Sequence, residues 1–347
     1  MFDFEIIEVN NPIWNEYING CVNYDFYHTA CYHKIEQKQN EKSILIVVRS
    51  FDEYICLPLI VSPIPSTNYF DANSVYGYGG PIASKDFSKL SERIITFFKK
   101  CFLNYCRENK IISVFSRLHP YINNFEFFNG FGVVRNLNKV VGINLKADPT
   151  IQRRQYGKST KNQINQLKKK KRYEVKVIRN NDNFIENFVE IYHETMDRVK
   201  AAKSYYFDFE YFHNFLNNEC FNSVLLMGFK EGEPAVGGIF TYTNTIMQYH
   251  LSGTKNIFMR DHPMKLIINE ARLLGNDLNL NYLNLGGGVG GSDEDSLFRF
   301  KSGFSKDFHQ FKVWNLIVNE EVYNSLVAEK NLKPEDYPNF FPLYRAK

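Results

Sequence analysis

The sequence predicts an α/β chain of the layered α+β kind, built as two tandem domains, each a mixed, mostly antiparallel sheet flanked by helices. Three observations carry this. An order of strand, two helices, three-stranded meander, helix, strand, helix and strand is legible twice along the 347 residues. The hairpins inside the two copies align without a gap, SILIVVR at 43–49 over SVLLMGF at 223–229, and both turns centre on an acid. A composition of 44% hydrophobic and 23% charged residues is that of a globular chain long enough for substantial cores.

The first copy opens with a strand at 4–9 and a helix at 12–18, followed by a polar-aromatic segment at 25–34 that leads into another helix. A β-branched run at 43–49, a turn at 50–53 and a partner at 54–61 form the hairpin. A glycine-rich aromatic stretch at 75–81 precedes a long amphipathic helix at 85–107, a strand at 111–115, a short helix near Asn123 and a strand at 140–145. These elements define a first domain over 1–150.

The second copy, 151–322, has a strand at 174–178, helices at 183–199 and 208–217, and a hairpin of 223–229 with 235–242. A third meander strand at 245–252 and a helix opening at Pro263 follow, proline suiting a first helical position. Next come a strand at 282–285, a glycine loop at 286–291, a short helix and a strand at 311–318. Ser292 or Asp293 is the expected N-cap of the short helix, and Gly303 its left-handed C′ residue. Residues 323–347 are expected to pack back on the first domain.

Between the copies lies a basic entry helix, 158–172. Arg153, Arg154, Lys158, Lys161, Lys168, Lys169, Lys170, Lys171 and Arg172 meet no acid from Ile151 to Tyr173. Thr160 and Gln163 have capping-box spacing for its start. Such a run is either a solvated basic face or a patch for a polyanion such as tRNA or a diphosphate head group. No stretch reaches the length of a membrane span, although peripheral membrane contact remains open. The acidic N-terminus lacks a secretory layout, and six scattered cysteines form neither a C-x-x-C nor a metal-ligand spacing. A cytoplasmic protein with reduced thiols and no metal is expected.

Gly286, Gly288 and Gly291 formally satisfy G-x-G-x-x-G. Asp293, Glu294 and Asp295 nevertheless fill the first helical turn, where they would repel a cofactor pyrophosphate, and the strand does not open a βαβ unit. The glycines therefore mark a place where backbone comes close to something.

The element order resembles the GNAT acyltransferase fold, and its duplication resembles the FemAB family of aminoacyl-tRNA-dependent transferases. The residues carrying the resemblance are Phe26-Tyr27-His28-Thr29 with Tyr32, Tyr78-Gly79-Gly80-Pro81, and Thr195-Met196-Asp197-Arg198. Above all they are Leu285-Gly286-Gly287-Gly288, followed by Asp295-Ser296-Leu297 and Phe300-Lys301-Ser302-Gly303-Phe304. The resemblance covers roughly residues 1–325. It implies two tandem GNAT-like domains and an acyltransferase that N-acylates a cell-envelope peptide or amino-sugar precursor, nucleotide- or lipid-linked. It also implies no permanently bound cofactor, with aminoacyl-tRNA or acyl-CoA arriving as donor substrate. In such proteins the lysine of the Phe-Lys pair acts at the reacting group, which implies Lys301 with Phe300 here. The resemblance places Arg198 near acceptor phosphates; Gly286, Gly287, Gly288, Tyr249, His28 and Tyr78 are further candidates for the substrate site.

Two departures bear on the donor. The coiled-coil arm of some members is missing, and so is the acyl-CoA signature Arg/Gln-x-x-Gly-x-Gly/Ala before the Pro263 helix, where residues 255–262 read KNIFMRDH. With the basic residues Lys168 to Arg172, this favours aminoacyl-tRNA over acyl-CoA.

Acyl transfer to an amine needs a donor carbonyl, a neutral amine and stabilisation of the tetrahedral oxygen, to which Lys301 can bring positive charge. Neither a Ser-His-Asp nor a Cys-His arrangement is legible, so direct attack is expected. His250 is either a base in the groove or a packed strand residue. Tyr249 and Tyr205 are candidates for lining the acceptor path. The competing readings are an acyl-CoA-dependent sugar N-acyltransferase and a non-catalytic polyanion- or RNA-binding protein, with a dinucleotide oxidoreductase more remote.

Overall fold

The structure, a computed structural model, describes residues 2–122, 124–170, 172–179, 182–288 and 295–346. Asn123, Lys171 and the stretch 289–294, with the expected caps Ser292 and Asp293, lie outside the described residues. The chain forms two compact units, residues 1–137 with 310–347, and residues 138–309.

In the first unit, β1 (Asp3–Glu8), α1 (Ile13–Asn19) and α2 (Ala30–Glu36) lead into β2 (Lys42–Arg49) and β3 (Tyr54–Pro63). Then come β4 (Phe70–Asn73), the short β5 (Ile82–Ala83), α3 (Glu92–Glu108) and β6 (Ile111–Leu118). The sheet runs β1-β2-β3-β4-β6, antiparallel up to β4 and parallel between β4 and β6. Strand β2 shows why an all-apolar run becomes a central strand. Successive side chains alternate faces, so Ile44, Ile46 and Val48 join the core with Ile94, Phe98 and Phe102 of α3, while Leu45 and Val47 meet Trp14 and Ile18 of α1. Helix α3 starts at Ser91, whose hydroxyl accepts from Ile94 N–H. It is preceded by a separate 3₁₀ turn over Phe87–Lys89 and does not begin at residue 85.

The second unit takes up the chain inside β7 (Val133–Asn144). It continues through α4 (Pro149–Gln155), α5 (Lys158–Lys169), β8 (Tyr173–Ile178), α6 (Asp182–Arg198) and α7 (Phe209–Leu216). Strands β9 (Asn222–Lys230), β10 (Glu233–Thr243) and β11 (Ile246–Thr254) precede α8 (Met264–Asp277), β12 (Tyr282–Gly286) and α9 (Ser296–Ser302). The β9–β10 hairpin closes through Glu231 and Gly232 at φ 52° and 86°, the paired positive values of a type I′ turn. Strands β8 to β11 form an antiparallel ladder, β11 and β12 are parallel, and residues 141–144 of β7 pair antiparallel with β12. This repeats the pairing pattern of the first unit. Two tandem layered α/β units with mostly antiparallel sheets are the fold.

The closing strands differ from the sequence expectation. The strand expected to end the first domain, at 140–145, pairs with β12 of the second unit. The strand expected to end the second, β13 (Asp307–Ile317), pairs over residues 312–317 with β6 of the first. The division therefore falls at 137/138, not at 150, and residues 310–347 go with the first unit. Trp314 gives the reason. Its indole fills the first unit's aromatic core against Phe128 and Phe131, at 5.3 Å from each, and its N–H donates to Phe131 O at 2.6 Å. Strand periodicity alone cannot tell which sheet an alternating strand will join.

Smaller corrections have local causes. Thr160 is buried inside α5, which begins at Lys158 after Gly157, so no capping box forms with Gln163. The amide of Gln163 instead accepts from Lys265. Gly303 closes α9 with right-handed geometry, φ −66°, whereas Gly286 at the end of β12 takes a positive φ of 73°. Cys21, Cys56, Cys101 and Cys106 are free thiols; the expectation of reduced cysteines does not extend to Cys31 and Cys220. No helix among the described residues is long and apolar enough to cross a membrane.

After β13, α10 (Glu320–Glu329) and the last residues pack on the first unit around Ile64, Ile112, Tyr323 and Leu343. Asp71, 1% exposed, is held there by Arg345, with Nε at 2.8 Å and Nη2 at 3.1 Å, and by the Tyr344 hydroxyl. Removing one partner strands the other charge. Arg345→Met is expected to cost about 3 kcal/mol in urea unfolding, and adding Asp71→Asn to recover more than half of it. A loss below about 0.5 kcal/mol for the single variant would mean the tail is held by its apolar contacts alone.

Candidate functional site

The site is built at the end of β12. Leu283, Asn284 and Leu285 are buried, and Asn284 Nδ2 donates to Gln248 Oε1 of the parallel neighbour β11 at 2.8 Å. The Asn284 side-chain oxygen then turns forward to accept from Gly286 N–H at 3.0 Å. This bends the chain out of the ladder, where the register with β7 slips between Asn284 and Gly286, and Gly286 takes φ 73°. Two residues on, a Cβ at Gly288 would stand 2.3 Å from an Asp295 carboxylate oxygen, so no side chain fits there. The glycines at 286 and 288 thus answer a backbone reversal and a close approach.

Asp295 is the N-cap of α9, accepting from Phe298 N–H at 2.9 Å. One and a half turns later Lys301 points back beneath the loop. Only 9% exposed, its ammonium donates to the Gly287 carbonyl at 2.8 Å and lies 5.8 Å from the centre of the Tyr249 ring on β11. Among the described residues it makes no ion pair. Burial pulls its pKa down to about 8, and the nearby Asp295 charge opposes that shift. At neutral pH the group is still mostly protonated, a desolvated cation on a carbonyl oxygen. Burial pushes the Tyr249 phenol up to about 12; its ring stacks on Phe240 at 5.4 Å and its hydroxyl shares a hydrogen bond with Ser252. Phe300 packs edge-on against Phe304 at 5.7 Å, beside the same core.

Lys301, Phe300, Gly286, Gly287, Gly288 and Tyr249 are therefore together. His250 stacks flat on Phe215 of α7 at 4.6 Å, and burial lowers its pKa to about 3, which leaves a neutral, packed imidazole. Arg198 is committed elsewhere: its guanidinium donates to Thr254 O and Thr195 Oγ1, each at 3.0 Å, and to the Asn256 side chain, tying α6 to the end of β11. His28 and Tyr78 belong to the first unit. His28 is fully buried, its Nδ1 accepts from Asp25 N–H at 3.1 Å, and burial lowers its pKa to about 3. Tyr78 is half-buried, edge-on to Tyr27 at 5.6 Å and Phe311 at 5.4 Å.

Helix α5 ends at Lys169, not at 172; its Thr160, Ile164 and Leu167 face the core, while Lys168 and Lys169, and Lys170 and Arg172 beyond its end, are exposed. Lys168 pairs with Glu270 at 2.7 Å, and Lys171 lies outside the described residues. The sequence had not indicated the Gln248–Asn284 amide pair or the Gly287 carbonyl as the lysine's partner. An asparagine two residues before a loop glycine was the one available sign.

No known family's sequence profile matches the chain, and no curated protein matches it in sequence. Solved structures do match in fold. The chain is similar to FemX with a TM-score of 0.72 at 10% identity, over 92% of this chain and 99% of that one. It is similar to L-PGS from Bacillus licheniformis with a TM-score of 0.58 at 11% identity, over 94% and 97%. A tandem GNAT protein from the clavulanic acid biosynthesis pathway matches with a TM-score of 0.50 at 8% identity, over 92% and 99%. The fold is the FemX-like tandem GNAT fold.

A buried lysine with no ion pair among the described residues costs stability. The fall from 10.5 to about 8 corresponds to roughly 3 kcal/mol at most, present while the lysine is protonated. Below pH 8 both folded and unfolded chains hold the proton. Between 8 and 10.5 the folded chain releases it first, so stability contributed at this site rises with pH. Lys301→Met is expected to be more stable than the parent by about 1–3 kcal/mol at pH 7, with the gap closing towards pH 10 in thermal melts. A less stable variant at pH 7 would show that the lysine is a structural prop.

Proposed function

We propose that the chain is an acyltransferase of the GNAT/FemAB type, adding an aminoacyl or acyl group to an amine on a cell-envelope peptide or amino-sugar precursor. The observation that carries this is Lys301: a protonated amine, stripped of water, held against a carbonyl at the end of the parallel strand pair. The fold shared with FemX supports the reaction class. No resident cofactor enters the scheme; the donor arrives as substrate.

In the proposed step the neutral acceptor amine attacks the donor carbonyl carbon. A C–N bond forms and the carbonyl oxygen takes negative charge, which the Lys301 ammonium stabilises by exchanging Gly287 O for that oxygen. As the C–O bond to the ribose breaks, Lys301 gives its proton to the leaving alkoxide and regains one from water, while the attacking nitrogen loses its extra proton to solvent. No covalent enzyme intermediate is needed.

Aminoacyl-tRNA is the proposed donor. Residues 256–261, in the place of the acyl-CoA signature, fold as a 3₁₀ helix, and the N–H groups of Lys265 and Leu266 at the start of α8 already donate to His262 O and Pro263 O. That leaves little of the free backbone donor set a pyrophosphate uses. Exposed Lys169, Lys170 and Arg172 offer the phosphate contacts a tRNA needs.

With charged tRNA and an amine acceptor, Lys301→Met is expected to lower turnover by about two to three orders of magnitude. The rate should fall above about pH 8 as Lys301 deprotonates, and Lys301→Arg, permanently charged, should remove that alkaline limb in whatever activity it retains. Neutralising Lys169, Lys170 and Arg172 together should flatten the log-affinity versus log-salt slope for tRNA by about two to three. Turnover with acyl-CoA alone, or tRNA retention unchanged by those substitutions, would replace the tRNA donor with acyl-CoA.

A further inference from the structure

One end of the second unit's sheet is where β8 begins, β9 ends, β10 begins and β11 ends: Tyr173 pairs with Lys230, Lys230 with Glu233, and Thr254 with Val236. Leaving β11, the chain forms the 3₁₀ helix Asn256–Asp261. Its anchor is Phe258, buried edge-on to Tyr173 at 6.3 Å. A 3₁₀ helix turns every three residues, so seating Phe258 directs its neighbours outward. Ile257 is 71% exposed and Met259 37%, with Arg260 exposed beside them.

The end of α6 is fastened to the same place by Arg198, and Asn256 N–H donates to Glu194 at 2.9 Å. The helix closes with Lys200 at φ 51°, its N–H on Asp197 O and Ala201 N–H on Met196 O, which fixes the following loop. That loop presents Val199, 60% exposed, with exposed Lys200 and Lys203. The neighbouring acids are engaged: Asp197 by the Tyr206 hydroxyl, Asp261 by Tyr173 and Lys230, Glu233 by Lys255. Glu231, at the hairpin tip, is an exposed acid.

Single exposed aliphatics are ordinary. Here three protrude from tethered backbone beside cations. Nucleic acid would use the cations and gain nothing from Ile257 or Val199, whereas an anionic bilayer rewards both. We infer that this end of the second unit docks on an anionic phospholipid bilayer, with Val199, Ile257 and Met259 entering the headgroup boundary and Lys200, Lys203 and Arg260 meeting lipid phosphates. Because β11 and β12 are parallel, the Gly286 turn leaves its strand toward this same end. An acceptor held in the bilayer would then meet the second unit at the end toward which the Gly286 turn leaves its strand. The inference deepens the proposed reading by naming where such an acceptor is met, while the docking itself stands on the patch.

The test is co-sedimentation of the full chain with vesicles of phosphatidylcholine alone and of phosphatidylcholine with phosphatidylglycerol. Binding to the second and little to the first is expected. Each of Lys200→Ala, Lys203→Ala and Arg260→Ala should lower partitioning about fivefold. Ile257→Ser with Met259→Ser should lower it at least about tenfold, with the melting temperature unchanged. Failure to sediment with the anionic vesicles, or binding indifferent to these substitutions, overturns the proposal. So does a patch variant that loses tRNA retention while keeping vesicle binding. Turnover on a soluble acceptor without vesicles should be the same in all patch variants, so a failed docking site and a failed transferase give different results.

Discussion

The second unit is arranged around a single unfavourable act, the removal of one ammonium group from water. Burial lowers the pKa of Lys301, the nearby Asp295 charge opposes that shift, and the Gly287 carbonyl accepts from its ammonium. Each neighbouring feature serves that contact. The Gln248–Asn284 amide pair locks the parallel strands, Asn284 then bends Gly286 out of the ladder, and the Asp295 cap starts α9 so that position 301 faces back beneath the loop. A chain selected for stability alone would place methionine there.

Much of the fold was legible in the sequence because alternation and helical spacing report local structure directly. Strands β2 and β9, with apolar runs at 43–49 and 223–229, lie within a residue or two of expectation, as do α6 and the start of α8. The partners of the closing strands were not legible. Residues 140–145 and 311–318 have strand character whichever sheet they join, and only the tertiary seat of Trp314 among Phe128 and Phe131 settles the second. Caps failed where geometry took precedence over residue type: Thr160 has a capping residue's chemistry yet is buried within α5.

The candidate site was legible in its members and not in their roles. Lys301 and the glycines stood out, but a lysine on a short amphipathic helix is ordinarily solvated, and nothing in the order of residues reveals that its charge is buried. The resemblance placed Arg198 near acceptor phosphates; in the structure its guanidinium donates to Thr254, Thr195 and Asn256 and ties α6 to the end of β11. His250, readable in the sequence as either a base or a packed strand residue, lies flat on Phe215. The charged, donating group at this centre is the lysine.

The most direct measurement is the titration of Lys301 itself, by NMR of lysine side-chain carbons labelled at Cε, with Lys301→Met to assign the signal. The account predicts one lysine that titrates near pH 8 and disappears in the variant. A Lys301 resonance titrating with the solvated lysines, about 10.4, would contradict it, because the cation would then be neither desolvated nor poised to give up its proton.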